Sequence, residues 1–145
     1  MKKEFTIFYT DDDPDDLDFF QEVIGSLENT IQLFTQNSGK ILLNILENPP
    51  LSPDILFLDL NMPGITGFDV LQKIRNSSDF KDLPIVIFST SNDEKTIEKS
   101  FELGASFYIT KPNDFVSLKK SIEYTININW ENFIPNRDNF VYSNN

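Results

Sequence analysis

The sequence contains neither cysteine nor histidine. Without cysteine there is no disulfide framework and no thiolate metal site, a composition that suits a reducing compartment. Without histidine the chain lacks the commonest general base and can carry no phosphohistidine of its own. Positive charge is scarce: 12 Lys and Arg stand against 23 Asp and Glu, for a net charge of −11. Such a surface repels phosphate backbones and anionic lipid, so neither nucleic acid nor a membrane is expected as a partner. No apolar run approaches the roughly 20 residues of a membrane span, and the apolar stretch near the start is too short for a signal peptide. A soluble cytoplasmic protein is expected.

What is present supports a folded core. Apolar residues make up 39% of the 145 positions, 14 of them phenylalanine, enough for one domain without staples. Short apolar runs at Phe5–Thr10, Ile31–Gln36, Ile55–Leu60, Ile85–Ser89 and Phe107–Thr110 read as strands. Most are apolar at nearly every position, as parallel strands covered on both faces should be. Between them the spacing predicts helices near Pro14–Leu27, Gly39–Glu47, Phe68–Asn76, Asp93–Leu103 and Asp114–Ile126. In the first, Leu17, Phe20, Ile24 and Leu27 share one face. The alternation predicts an α/β fold, (βα)5, with a doubly wound five-stranded parallel sheet. Residues 1–127 form the expected domain. Residues 128–145 are an extension without a fold of its own, too short for an output domain. It carries Trp130, Phe133, Ile134, Phe140 and Tyr142, which either cover the domain's own apolar surface or serve a homodimer or partner contact.

Acids crowd the opening: "DDDPDD" puts five aspartates around Pro14. Proline suits the first turn of a helix, which makes Asp13 the N-cap and puts Asp15 and Asp16 in an acidic first turn, a structural role. Asp11 and Asp12 instead follow the first strand at its carboxyl end, where open α/β sheets hold ligands. Asp59 closes the third strand at the same edge, where an unpaired charge would be costly. Three converging carboxylates repel one another, and a hard divalent cation such as Mg²⁺ relieves that. The fourth strand adds Ser89, Thr90 and Ser91 to this edge, and the fifth adds Lys111 before Pro112. Acids, hydroxyls, an ammonium and a hard cation together suit phosphoryl transfer, with an aspartate as nucleophile.

Four ordered signals, "DD", "LDLNMPG", the strand-four serine and "KP", resemble the receiver domain of two-component response regulators, the CheY-like family, over roughly residues 5–126. The resemblance implies the flavodoxin-like strand order 2-1-3-4-5. It implies Asp59 as phosphoacceptor, Asp12 as a direct Mg²⁺ ligand, Asp11 as a ligand largely through water, and Asn61 as a backbone-carbonyl ligand. Ser89 matches the hydroxyl that closes onto the phosphoryl group, Lys111 its lysine partner, and Tyr108 the aromatic switch. On phosphorylation Ser89 and Tyr108 would move inward. The Lys111–Pro112 bond is commonly cis in this family. Thr90 stands where alanine is frequent, and Asn61 and Ser91 where the family tunes hydrolysis of the acyl phosphate. The acidic run also resembles a stand-alone, Rcp1-like subgroup associated with phytochrome-type kinases. The implied partners are a sensor histidine kinase or histidine phosphotransfer protein, and a downstream protein recognising the face of helix four, strand five and helix five.

Three rival readings remain. A receiver-like binding module would keep the fold without being phosphorylated, against which the intact acid, hydroxyl and lysine set argues. An aspartate phosphatase of the haloacid-dehalogenase type wants an acid two residues after the nucleophile, where Asn61 stands. A flavodoxin-like electron carrier needs a phosphate cradle after strand one, where these acids would repel FMN.

Overall fold

Side chains along a strand alternate between faces, so a strand apolar throughout needs cover on both. The computed structural model, which describes residues 4–28, 30–48 and 53–143, supplies it. The two opening lysines and the last two asparagines of the extension lie outside the described residues. Parallel strands β1 (Phe5–Thr10), β2 (Ile31–Gln36), β3 (Ile55–Leu58), β4 (Ile85–Ser89) and β5 (Phe107–Thr110) lie in the order β2-β1-β3-β4-β5. The helices are α1 (Pro14–Gly25), α2 (Gly39–Glu47), α3 (Gly67–Arg75), α4 (Glu94–Glu102) and α5 (Phe115–Ile126). This is the α/β doubly wound arrangement that the alternation predicts.

Two cores follow from the strand alternation. Phe8, Leu56, Leu58, Ile85 and Ile87 face α2 and α3, whose Leu42, Leu46, Val70, Leu71 and Ile74 are buried against them. Ile7, Tyr9, Phe57, Val86, Phe88 and Ile109 face the other way, onto Phe20, Val23 and Ile24 of α1 and Leu118, Ile122 and Ile126 of α5. Because β1 lies between β2 and β3, the chain crosses to opposite sides of the sheet on leaving β1 and β3. Their carboxyl ends therefore border the crevice of a topological switch point.

Element ends differ from expectation where polar side chains cap the backbone. Asp93 and Asp114, read as the first residues of their helices, are N-caps that accept from the N–H of Thr96 and Ser117. Thr66 and Asp69 form a reciprocal capping box, so α3 begins one residue early, at Gly67. β3 ends at Leu58, which leaves Asp59 just beyond the strand with its N–H still donated to the Thr10 carbonyl at 3.0 Å.

Beyond α5 the chain folds back over the sheet edge. Trp130 Nε1 donates to the Thr125 carbonyl at 3.1 Å, and Trp130 and Phe133 pack edge-on against Phe107. Farther on, the Tyr108 N–H donates to the Phe140 carbonyl and the Tyr142 N–H to the Tyr108 carbonyl, both at 2.9 Å. This parallel bridge runs along the outer side of β5. Phe140 is buried beside Phe101 of α4, Arg137 pairs with Glu98 on the same helix, and Tyr142 meets Tyr124 of α5. Ile134 and Val141 are left exposed.

Phe140→Ala should lower stability by about 3–5 kcal/mol, the usual cost of deleting a buried phenylalanine ring. The urea midpoint reports it. A loss below about 1 kcal/mol, more typical of exposed sites, would show that the ring is not part of the core.

Candidate active site at the carboxyl edge of the sheet

Asp11 leaves β1 fully buried, and every one of its oxygens is engaged. Its Oδ2 accepts from the Tyr9 hydroxyl at 2.5 Å and from Lys111 Nζ at 2.7 Å, and its Oδ1 accepts from the Asp13 N–H at 3.0 Å. Asp59 is 4% exposed, at the end of the adjacent strand, and accepts from the Asn61 N–H. Asp12 points to solvent, yet one oxygen from each of Asp11, Asp12 and Asp59 falls within 4.8 Å of the others. Three hard oxygen donors with an open side match what Mg²⁺ takes, a few carboxylates plus water. With both oxygens of Asp11 already occupied, Asp12 and Asp59 have the freer lone pairs for direct coordination.

Lys111 reaches this group from the end of β5. Its N–H donates to the Ser89 carbonyl at 2.8 Å, which extends the ladder and aims the side chain across β4 toward β1. Nζ lies 3.5 Å from Asp59 Oδ1 and 2.7 Å from Asp16 Oδ2. Burial alone would lower the lysine pKa, but hydrogen bonds to Asp11 and Asp16 and the charge of Asp59 reverse this and raise it. Burial pushes the Asp59 carboxyl up to about 7, with Lys111 opposing and the Asp11 charge adding to the rise. Burial and then Asp11 push the Tyr9 phenol far above its ordinary value, so it remains a donor.

Close backbone packing fixes Asp59 from behind. A Cβ on Gly67 would stand 2.3 Å from the Asp59 carbonyl oxygen and 2.6 Å from Leu60 Cα, so only glycine lets α3 start here. Gly64, at φ +77°, makes the preceding turn.

Ser89 and Tyr108 complete the edge. Ser89 is fully buried, and its Oγ accepts from the Ser91 N–H at 3.2 Å. Tyr108 donates its hydroxyl to the Ser91 carbonyl at 2.6 Å. Burial raises the Tyr108 pKa, with a hydrogen bond from Ser89 opposing.

Tyr108 and Ser89 are both buried, Tyr108 beneath Phe140 with its backbone paired to the extension. The structure corrects two expectations. No described peptide bond is cis, so Lys111–Pro112 is trans, the intrinsically favoured isomer for X–Pro. Asp16 does more than occupy a helical first turn, since it shares the Lys111 ammonium with Asp11. Asp13 caps α1 as expected, accepting from the Asp15 N–H at 2.9 Å.

The model of the response regulator receiver domain family matches residues 7–123. The chain belongs to that family. Among curated receivers, it is 34% identical to response regulator Rcp1 of Synechocystis sp. over 90 residues, 62% of this chain and 57% of that one. It is 29% identical to a probable cyclic di-GMP phosphodiesterase of Vibrio cholerae over 117 residues, 81% of this chain and 25% of that one. The chain thus spans from about a quarter to about three fifths of the length of such relatives. Among solved structures, the phosphorylated cyanobacterial phytochrome response regulator RcpA superposes with a TM-score of 0.79 at 27% identity, covering 92% of this chain and 98% of that one. The Mn²⁺-bound form of Rcp1 gives 0.75 at 26%, covering 90% and 97%.

Two receiver-site residues escaped the sequence reading. Tyr9 lies two positions before Asp11, and so on the same side of the chain, but a strand aromatic carries no mark of its hydroxyl's partner. Asp16 was hidden by its position, because an acid in a helical first turn already has a sufficient explanation.

Because the folded-state pKa of Asp59 is raised, its contribution to stability is complete below the ordinary carboxylate value of 3.8 and declines as pH rises through about 7. With divalent cations chelated, Asp59→Asn should therefore gain in melting temperature over wild type across that window and level off above it. A difference that stays flat from pH 4 to pH 8 would contradict a buried carboxylate of raised proton affinity.

Proposed function

We propose that this receiver accepts a phosphoryl group on Asp59 from the phosphohistidine of a sensor histidine kinase or histidine phosphotransfer protein. The convergence of Asp11, Asp12 and Asp59 within 4.8 Å, with Lys111 Nζ 3.5 Å from Asp59, carries this reading. An Asp59 oxygen attacks phosphorus, the P–N bond to the donor imidazole breaks, and an acyl phosphate forms. Lys111 neutralises charge on the transferring oxygens, and the Ser89 hydroxyl donates to one of them. Asp12 and Asp59 would hold Mg²⁺ directly, with Asp11 acting through water and Asn61 through its carbonyl. The cation would supply charge neutralisation to phosphoryl oxygens. That Rcp1 has an Mn²⁺-bound form supports a divalent cation here.

The signal leaves through contacts already joined end to end. Drawing Ser89 Oγ toward a phosphoryl oxygen loosens its bond to the Ser91 N–H, while the Ser91 carbonyl holds the Tyr108 phenol. Tyr108 in turn pairs with Phe140 and Tyr142. Phosphorylation thus biases the α4–β5–α5 face together with residues 128–145, taken as an extension to the 1–127 receiver unit. A downstream protein partner, or a second copy, would read that combined surface. Among the described residues no helix is long and apolar enough to cross a membrane, which agrees with a cytoplasmic setting.

Incubation with acetyl phosphate and Mg²⁺ should add one phosphate to the intact mass of wild type and none to Asp59→Asn. An unmodified wild type, including with cognate kinase, would favour the binding-module alternative. Millimolar Mg²⁺ should also raise the wild-type melting temperature by linkage, and Asp12→Ala should largely lose that rise. Equal rises in both proteins would remove Asp12 from the ligand set.

A further inference from the structure

Among the acids of the opening run that the phosphoacceptor reading leaves without a part, Asp16 touches the reactive lysine. Asp16 Oδ2 accepts from Lys111 Nζ at 2.7 Å, as close as Asp11 and closer than the 3.5 Å approach of Asp59. The two carboxylates that grip the ammonium differ in what losing it would do to them. Asp11 is fully buried, and a buried charge stripped of its partner is strongly destabilising. The Asp16 side chain is 34% exposed in the first turn of the 12-residue α1, where water and the peptide dipoles stabilise an anion without help. Asp16 is thus the partner that can give up the lysine at low cost.

We propose that Asp16 is a resting counter-ion, which holds Lys111 back from Asp59 and is exchanged for the oxygens of the arriving phosphoryl group. The inference rests on the phosphoacceptor reading and names a positioning residue that acts through Lys111. A phosphoryl group on Asp59 carries about −1.5 to −2 charges and attracts the ammonium more strongly than a single carboxylate does. Asp16 then turns to water, and the exchange sets how tightly the site holds a phosphoryl group.

Beryllofluoride with saturating Mg²⁺ is the probe, titrated by NMR into wild type, Asp16→Asn, Asp16→Ser and Asp15→Asn. Asp15 is exposed on the same helical turn, so its variant removes equal charge without touching the lysine contact. Both Asp16 variants should bind about two- to fivefold tighter than wild type, the range for an ion pair with one partner in water. The Lys111 ammonium resonance should move in these two variants before any beryllofluoride is added. Asp15→Asn should match wild type in both readings. Unchanged or weaker binding by the Asp16 variants overturns the inference alone, as does an equal gain in Asp15→Asn or an unmoved lysine resonance. A wild type that takes up no beryllofluoride overturns the phosphoacceptor reading, and the inference with it.

Discussion

The site depends on one cation placed among mutually repelling acids. Lys111 Nζ touches Asp11 and Asp16 and approaches Asp59, and without it the buried Asp11 and nearly buried Asp59 would face each other uncompensated. Everything that positions this ammonium is part of the fold. The β4–β5 pairing sets its backbone through Ser89, and the Tyr9 hydroxyl and Asp13 N–H hold Asp11 against it. The glycine at the start of α3 lets Asp59 sit close behind. Burial, opposed by this single positive charge and reinforced by Asp11, leaves Asp59 with a raised proton affinity. The remaining negative charge is what a further cation would relieve.

A second set of contacts links this edge of the sheet to another face. Ser89, Ser91 and Tyr108 form a short relay of hydrogen bonds from the sheet edge to the outer strand. Each group is engaged, so no member can shift without its neighbour losing a partner. In a tightly packed interior such a change is discrete, because the alternatives are a made or an unmade bond.

Much of the fold was legible because most strands are apolar on both faces and the helices between them keep a regular period. Four of the five strand ranges read from the sequence coincide with the structure; the third stops two residues short. Its end was misjudged because Leu60 continues the apolar pattern after the chain has left the ladder. Helix starts moved where Thr66, Asp93 and Asp114 cap them, since a capping acid and a first-turn acid look alike in sequence. At the site, the gathering of Asp11, Asp12, Asp59, Ser89 and Lys111 at one edge followed from strand ends alone. The second partner of Lys111 did not, because a contact spanning 95 positions between a strand end and a helical turn leaves no periodic trace. The burial of Tyr108 was illegible for a similar reason, as it depends on where Phe140 comes to rest.

The returning C-terminal segment has a further effect, on the sheet as a polymerisable object. A border strand normally offers a row of unsatisfied peptide groups that can template another chain. At Tyr108 both main-chain groups facing outward are taken within the molecule. An incoming peptide therefore finds no vacancy for strand addition at the centre of β5, and lateral growth of the sheet is left to the opposite border at β2. Association across the β5 side must then proceed through side chains, which can be altered from one partner to the next without disturbing the hydrogen-bonded framework beneath.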